Sequence, residues 1–291
     1  MSLLIIPFFL AAAAIGLFLL WKFRWGPPDR TLPGVLTYHK IAGFEFGGTW
    51  MTPTRFASGL DHLADSGYSF IGEDEFIDTL DGRREARGKE ILITFDDGYR
   101  LLMDDALPLL EARNIPALIF LVTSYSGREN TWELPLPGRR TRHLGWDEVS
   151  EISANPLFTF GSHSRTHRDL TKLSDDMLAD ELSISREVIG HQTGRMARSV
   201  SYPFGRVDRR VVESARSAGF EAGFTLFPTG RGEDVDRFCL RREGVWIIDT
   251  KYSVDLKLSG GRWFWFEDIK GRTINRFASI TPFLMKKGPF D

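Results

Sequence analysis

From Val35 onward, short runs of β-branched and aromatic residues alternate with amphipathic segments about six times. That rhythm constrains the fold more than any other feature. A strand that repeatedly hands over to a helix leads to a parallel-stranded α/β architecture. The pattern predicts strands at Val35–His39, Tyr68–Ile71, Ile91–Phe95, Ala117–Val122, Phe158–Gly161, Ser199–Tyr202 and Glu221–Leu226. It predicts helices at Pro53–Ser66, Asp74–Leu80, Tyr99–Arg113, Trp146–Ala154, Ser174–Thr193 and Asp208–Ala218. Thr52 before Pro53 reads as an N-cap with proline at the first helical position.

The N-terminus obeys another rule. Leu3 to Trp21 is 19 residues without a charge, about 28 Å at helical rise and close to the thickness of a bilayer's hydrocarbon core. Trp21 and Trp25 stand where an interfacial belt falls, beside Lys22 and Arg24. A cleaved signal peptide fits less well, because the cationic leader and a small-residue cleavage site are missing. The expected organisation is therefore a membrane anchor over 1–24, a Pro/Gly linker over 25–34, one catalytic-size domain over 35–250 and an extension over 251–291. Residues 128–142 read as a surface insertion, and the extension as a closing hairpin or helix. Lys22, Arg24 and Arg30 follow the span, which favours a cytoplasmic body under the positive-inside tendency. Lys plus Arg is 37 against 39 for Asp plus Glu. That balance lacks the electrostatic footprint of a nucleic-acid binder. A single cysteine, Cys239, leaves no internal disulfide to form.

In parallel α/β folds, functional groups gather at the C-terminal ends of strands. Three predicted strands end in such groups. "ILITFDDG" closes on Asp96, Asp97 and Gly98, although "DDG" alone is ordinary turn chemistry. "FTFGSHSRTH" closes on His163 and His167, four apart, which lets both imidazoles face one point. Two neutral imidazoles and a carboxylate make a three-ligand set for zinc or a similar divalent ion, with positions left for water and substrate. "SVSYPFGR" closes on the Tyr202–Pro203–Phe204–Gly205 turn.

Taken in order, "TFDDG", "HSRTH" and "YPFG" resemble the NodB-homology polysaccharide deacetylases, carbohydrate esterase family 4, over about residues 35–245. The resemblance implies a distorted (β/α) barrel and metal-dependent removal of acetyl groups from an N-acetylated glycan. It implies Asp96 as general base and Asp97, His163 and His167 as ligands of a divalent metal, Zn2+ first, with Co2+, Ni2+ or Mn2+ as alternatives. The turn at Tyr202–Gly205 would bind substrate, and the Phe204 N–H would stabilise the oxyanion. Residues after the motifs depart from the family. Ser201 stands where many members carry arginine, no Asp–Trp motif is evident in 226–239, and Leu240-Arg241-Arg242 replaces the Leu-x-His that supplies the general acid. Arg242 becomes a candidate for tuning charge in the site. "VLTYHKI" resembles the subgroup that includes exopolysaccharide (poly-N-acetylglucosamine) deacetylases, and His39 at the first strand end becomes the candidate general acid. The family resemblance also favours an extracytoplasmic domain on a bacterial inner membrane, against the vote of the three charges. A non-catalytic glycan-binding subunit and a cytoplasm-facing deacetylase of lipid-linked amino sugars are the alternative readings.

Overall fold

The computed structural model describes residues 32–45, 49–132, 141–226, 236–260 and 264–278. The anchor, most of the linker and the centre of the insertion lie outside them. No helix among the described residues is long and apolar enough to cross a membrane.

The strands are β1 (Gly34–Tyr38), β2 (Lys40–Ile41), β3 (Trp50–Met51), β4 (Ser69–Phe70), β5 (Glu90–Phe95), β6 (Ala117–Leu121), β7 (Phe158–Ser162), β8 (Ser199–Ser201), β9 (Ala222–Thr225), β10 (Leu240–Arg241) and β11 (Glu243–Gly244). The helices are α1 (Pro53–Asp65), α2 (Glu73–Leu80), α3 (Leu107–Glu111), α4 (Trp146–Ser153), α5 (Asp175–Thr193), α6 (Arg209–Ser217), α7 (Lys251–Ser259) and α8 (Phe264–Ala278). All pairings in the main sheet are parallel, in the order β10-β9-β8-β7-β6-β5-β1-β11, with β4 against the start of β5. The alternation in the sequence is thus a nearly closed (β/α) barrel.

Closure falls to one short stretch. Leu240 and Arg241 pair with β9, Glu243 and Gly244 pair with β1, and Arg242 lies between them. The backbone N–H of Arg242 donates to Thr225 O and that of Val245 to Thr37 O. Strand parity then sorts the side chains. Val35, Leu92, Leu118, Phe120, Phe224 and Leu240 form one core cluster inside the barrel. Leu36, Ile93, Ile119, Phe160 and Val200 belong to the larger cluster that the helices cover. Gly161 is required inside, because a Cβ there would come within 2.6 Å of the Phe120 ring.

One expectation is corrected. The helix expected over Tyr99–Arg113 is instead a π-turn at Leu102–Ala106 followed by the short α3. Pro108 lacks the N–H that a continuous helix needs, and its ring would crowd the carbonyl four residues earlier. The wider turn is closed by Leu107 N–H to Leu102 O. The extension, for which the sequence allowed a hairpin or a helix, is helical at Lys251–Ser259 and Phe264–Ala278. Both are tied to the domain by buried ion pairs, among them Lys257 Nζ–Asp249 at 2.5 Å and Arg241–Asp268 at 2.6 Å.

Candidate active site

The expected strand ends converge. Asp96 and Asp97 follow β5, His163 and His167 follow β7, and the Tyr202–Gly205 turn follows β8. Asp97, Ser164, His167 and Phe204 adopt φ values of 60–68°. That left-handed region costs ordinary residues about 1–3 kcal/mol each. Of the five such non-glycine residues among those described, only Asn114 lies elsewhere. Gly98 continues the first of these turns with φ 61°, and a Cβ on it would meet Leu121 at 2.5 Å.

Asp97 Oδ1 lies 3.4 Å from His167 Nε2 and 3.7 Å from His163 Nε2. One ligand atom from each of the three residues falls within 4.8 Å of the others. A tetrahedral ion with bonds of about 2.0–2.1 Å holds neighbouring ligand atoms about 3.3 Å apart, so the triangle fits a divalent metal. Outer contacts orient each ligand. His163 Nδ1 donates to Ser201 O at 2.8 Å, which turns Nε2 towards Asp97. Burial drives the His163 imidazole down to about 4, against the raising pull of Asp96, and drives His167 well below its ordinary value. Both rings are thus neutral near pH 7, as ligands must be.

Beside this triangle, Arg242 grips Asp96 with both ends of its guanidinium, at 2.7 Å to Oδ1 and 2.8 Å to Oδ2. Parity aims both residues into the barrel, and both are buried. Burial alone would push the Asp96 carboxyl up. Arg242, with His163 and His39, outweighs that and holds it well below the usual carboxylate range. Arg242 also donates to Ser201 Oγ at 2.7 Å and Thr37 Oγ1 at 3.1 Å. Two of the three departures read from the sequence are therefore one arrangement: a small hydroxyl at Ser201 leaves room for Arg242 arriving from the barrel seam. His39 stands just past β1, half-buried, and its neighbour Tyr38 accepts from the Asp96 N–H at 2.9 Å.

The turn after β8 divides by the same parity. Tyr202 continues the outward side of Val200 and is wholly buried in the outer core, its hydroxyl under Gly223. A substrate contact by the Tyr202 side chain is thereby corrected. Pro203 is buried as well, whereas the Phe204 ring packs at 4.9 Å on His167.

Several supports escaped the sequence reading. Glu181 on α5 is buried beneath the "HSRTH" loop, accepting from the N–H groups of Arg165 and Thr166 at 2.9 Å each and from the Thr166 hydroxyl. An acid on the inward face of a long amphipathic helix was its available signal. His143, just after the insertion, is buried and contacts the Asp97 carbonyl through Nδ1 at 2.7 Å. Trp132 lies flat on His167, with centroids 4.4 Å apart and planes 11° apart, while Trp146 packs against the core.

The polysaccharide deacetylase family matches residues 83–223. The chain is 26% identical over 212 residues to "Putative polysaccharide deacetylase YxkH" of Bacillus subtilis (strain 168), covering 72% of this chain and 70% of that protein. It is 24% identical over 204 residues to the poly-beta-1,6-N-acetyl-D-glucosamine N-deacetylase of Staphylococcus epidermidis, covering 66% of each. The fold is shared with the Streptococcus pyogenes deacetylase PplD, solved with acetate (TM-score 0.67, 20% identity, 79% of this chain and 99% of that one). It is shared also with IcaB from Ammonifex degensii (TM-score 0.65, 24% identity, 80% and 98%). The strand ends at Asp96–Asp97, His163–His167 and Tyr202–Gly205 fall within the stretch matched by the polysaccharide deacetylase family, so the site and the sequence similarity to polysaccharide deacetylases coincide.

Proposed function

We propose that the chain is a divalent-metal-dependent hydrolase that removes N-acetyl groups from a polysaccharide of the poly-N-acetylglucosamine type. The observation that carries this reading is the Asp97–His163–His167 triangle set directly against the ionised Asp96–Arg242 pair. A metal held by the triangle would polarise the acetyl carbonyl and acidify a water molecule. Asp96, fixed in place and in charge by Arg242, takes the proton from the attacking water. The Phe204 N–H donates to the oxyanion that develops on the carbonyl oxygen. His39, at the mouth beside Asp96, returns a proton to the amine as the C–N bond breaks. The complete triangle and the paired base weigh against a decayed, purely glycan-binding role.

His39→Ala should lower turnover by about two orders of magnitude with metal content unchanged, since a positioned general acid contributes on that scale. Near-normal turnover would remove His39 from the mechanism. Acetate release should be fastest on poly-β-1,6-N-acetylglucosamine oligomers, compared with chitin-type oligomers and peptidoglycan. Equal or faster release from either comparator would overturn the assignment of substrate class. The charge-free Leu3–Trp21 segment supports tethering to a membrane. We place the domain on its extracytoplasmic side, and a topology reporter fused after Asp291 tests that placement.

A further inference from the structure

The helix α8 lies beyond the family match, yet it reaches the reaction centre. Phe264, Asp268, Gly271 and Asn275 recur at the spacing of one helical face. Phe264, Asp268 and Gly271 are buried, and Asn275 is partly so. Asp268 fastens that face to the barrel seam through Arg241 at 2.6 Å, and Phe264 lies under the same guanidinium, 4.8 Å from ring centroid to Cζ. Seven residues after Asp268, two turns along, the Asn275 amide donates to the Phe204 carbonyl at 3.1 Å. A carbonyl only accepts, so the group that faces it is the NH2.

The turn that receives this bond needs holding. Phe204 and Gly205 adopt consecutive left-handed conformations, with φ 60° and 64°. A Cβ on Gly205 would sit 2.9 Å from Leu226, so the turn is confined as well as unusual. Thr225 Oγ1 donates to the Gly205 carbonyl at 2.6 Å and Asn275 to the Phe204 carbonyl. Both successive peptide groups are thereby fixed by side chains. The same turn presents the Phe204 ring to His167 at 4.9 Å.

We propose that Asn275 is a positioning residue for the deacetylation. Its hydrogen bond holds the left-handed turn that aims the Phe204 N–H at the oxyanion, and this makes α8 a working part of the active site. The inference rests on the reaction proposed above. An oxyanion donor displaced by a fraction of an ångström loses strength in the transition state while substrate binding is little affected.

The test uses the full-length chain loaded with metal. Asn275→Asp preserves shape and removes the donor, Asn275→Leu removes both polar atoms, and Asn275→Gln keeps a donor. The Asp and Leu variants should lose about tenfold in kcat, the scale of one lost hydrogen bond. KM, bound metal and Tm should stay at wild-type values, and the Gln variant should recover most of kcat. Hydrogen exchange over residues 202–207 should accelerate in the Asp variant. Wild-type kcat in the Asp and Leu variants, or a loss of kcat that tracks metal content and Tm, would overturn the proposal. Unchanged exchange in the Asp variant would overturn it whether or not acetate is released. A wild-type protein that releases no acetate, with exchange accelerated in the Asp variant, would instead overturn the proposed reaction and the catalytic use of the contact with it.

Discussion

Asp96→Asn is expected to lower acetate release by about three orders of magnitude at saturating substrate, within the range that a positioned general base contributes. The substitution is nearly isosteric and leaves Asp97, His163 and His167 untouched, so bound metal and KM should remain close to wild type. Steady-state kinetics combined with metal analysis checks both halves. A variant that keeps a tenth or more of wild-type kcat would show that another group takes the proton. One that loses metal along with activity would show Asp96 to be a ligand. The adjacency of the two acids is what allows their separation. Asp96 follows the inward parity of Leu92 and Thr94 and meets Arg242, while Asp97 turns left-handed with φ 68° and meets the histidines.

Arg242→Met is the second large effect, and it is felt first in stability. Asp96 and Arg242 are both buried, and removing one partner of such a pair leaves an uncompensated charge, at a cost of about 3–5 kcal/mol. The pH dependence carries a definite sign. In the wild type the folded carboxyl lies below its unfolded value of about 4. Its contribution to stability is therefore present above pH 4 and is lost only as pH falls towards the folded value. Without Arg242, burial raises the folded value above the unfolded one. Stability then falls as pH rises from about 4, where the unfolded chain begins to ionise. Denaturant melts at pH 4 and pH 7 should show a small deficit at the lower pH and the full deficit at the higher. An equal deficit at both would mean that Arg242 acts through packing, for instance on Phe120, rather than through Asp96. Arg242→Lys should restore little, because a single ammonium cannot span both carboxylate oxygens while also reaching Ser201 and Thr37.

Much of this site was legible as sequence because its chemistry sits at strand ends. Ionisable groups following "ILITF" and "FTFGS" announce themselves against apolar runs, and all seven expected strands lie within one residue of those observed at both ends. The missing arginine at 201 and the unexpected one at 242 were each visible, but their pairing was not, because it depends on how the seam between β10 and β11 closes. Tyr202 misled because its motif belongs to a turn whose residues alternate in facing. Parity assigns Ser201 to the interior and Tyr202 to the outer core. Glu181, His143 and Asn275 act across 15, 46 and 71 residues of sequence, respectively, and no local pattern marks such contacts. The broken helix after Arg100 was readable in principle from Pro108.

The central claim is that Asp97, His163 and His167 hold a divalent metal on which turnover depends. Metal-free protein, prepared with a chelator and verified by elemental analysis, should release acetate from poly-β-1,6-N-acetylglucosamine oligomers at less than about a hundredth of the loaded rate, in keeping with the several kcal/mol that Lewis-acid catalysis supplies. Stoichiometric Zn2+ or Co2+ should restore the rate in wild type and fail to do so in Asp97→Ala. Undiminished release from verified metal-free protein would contradict the account.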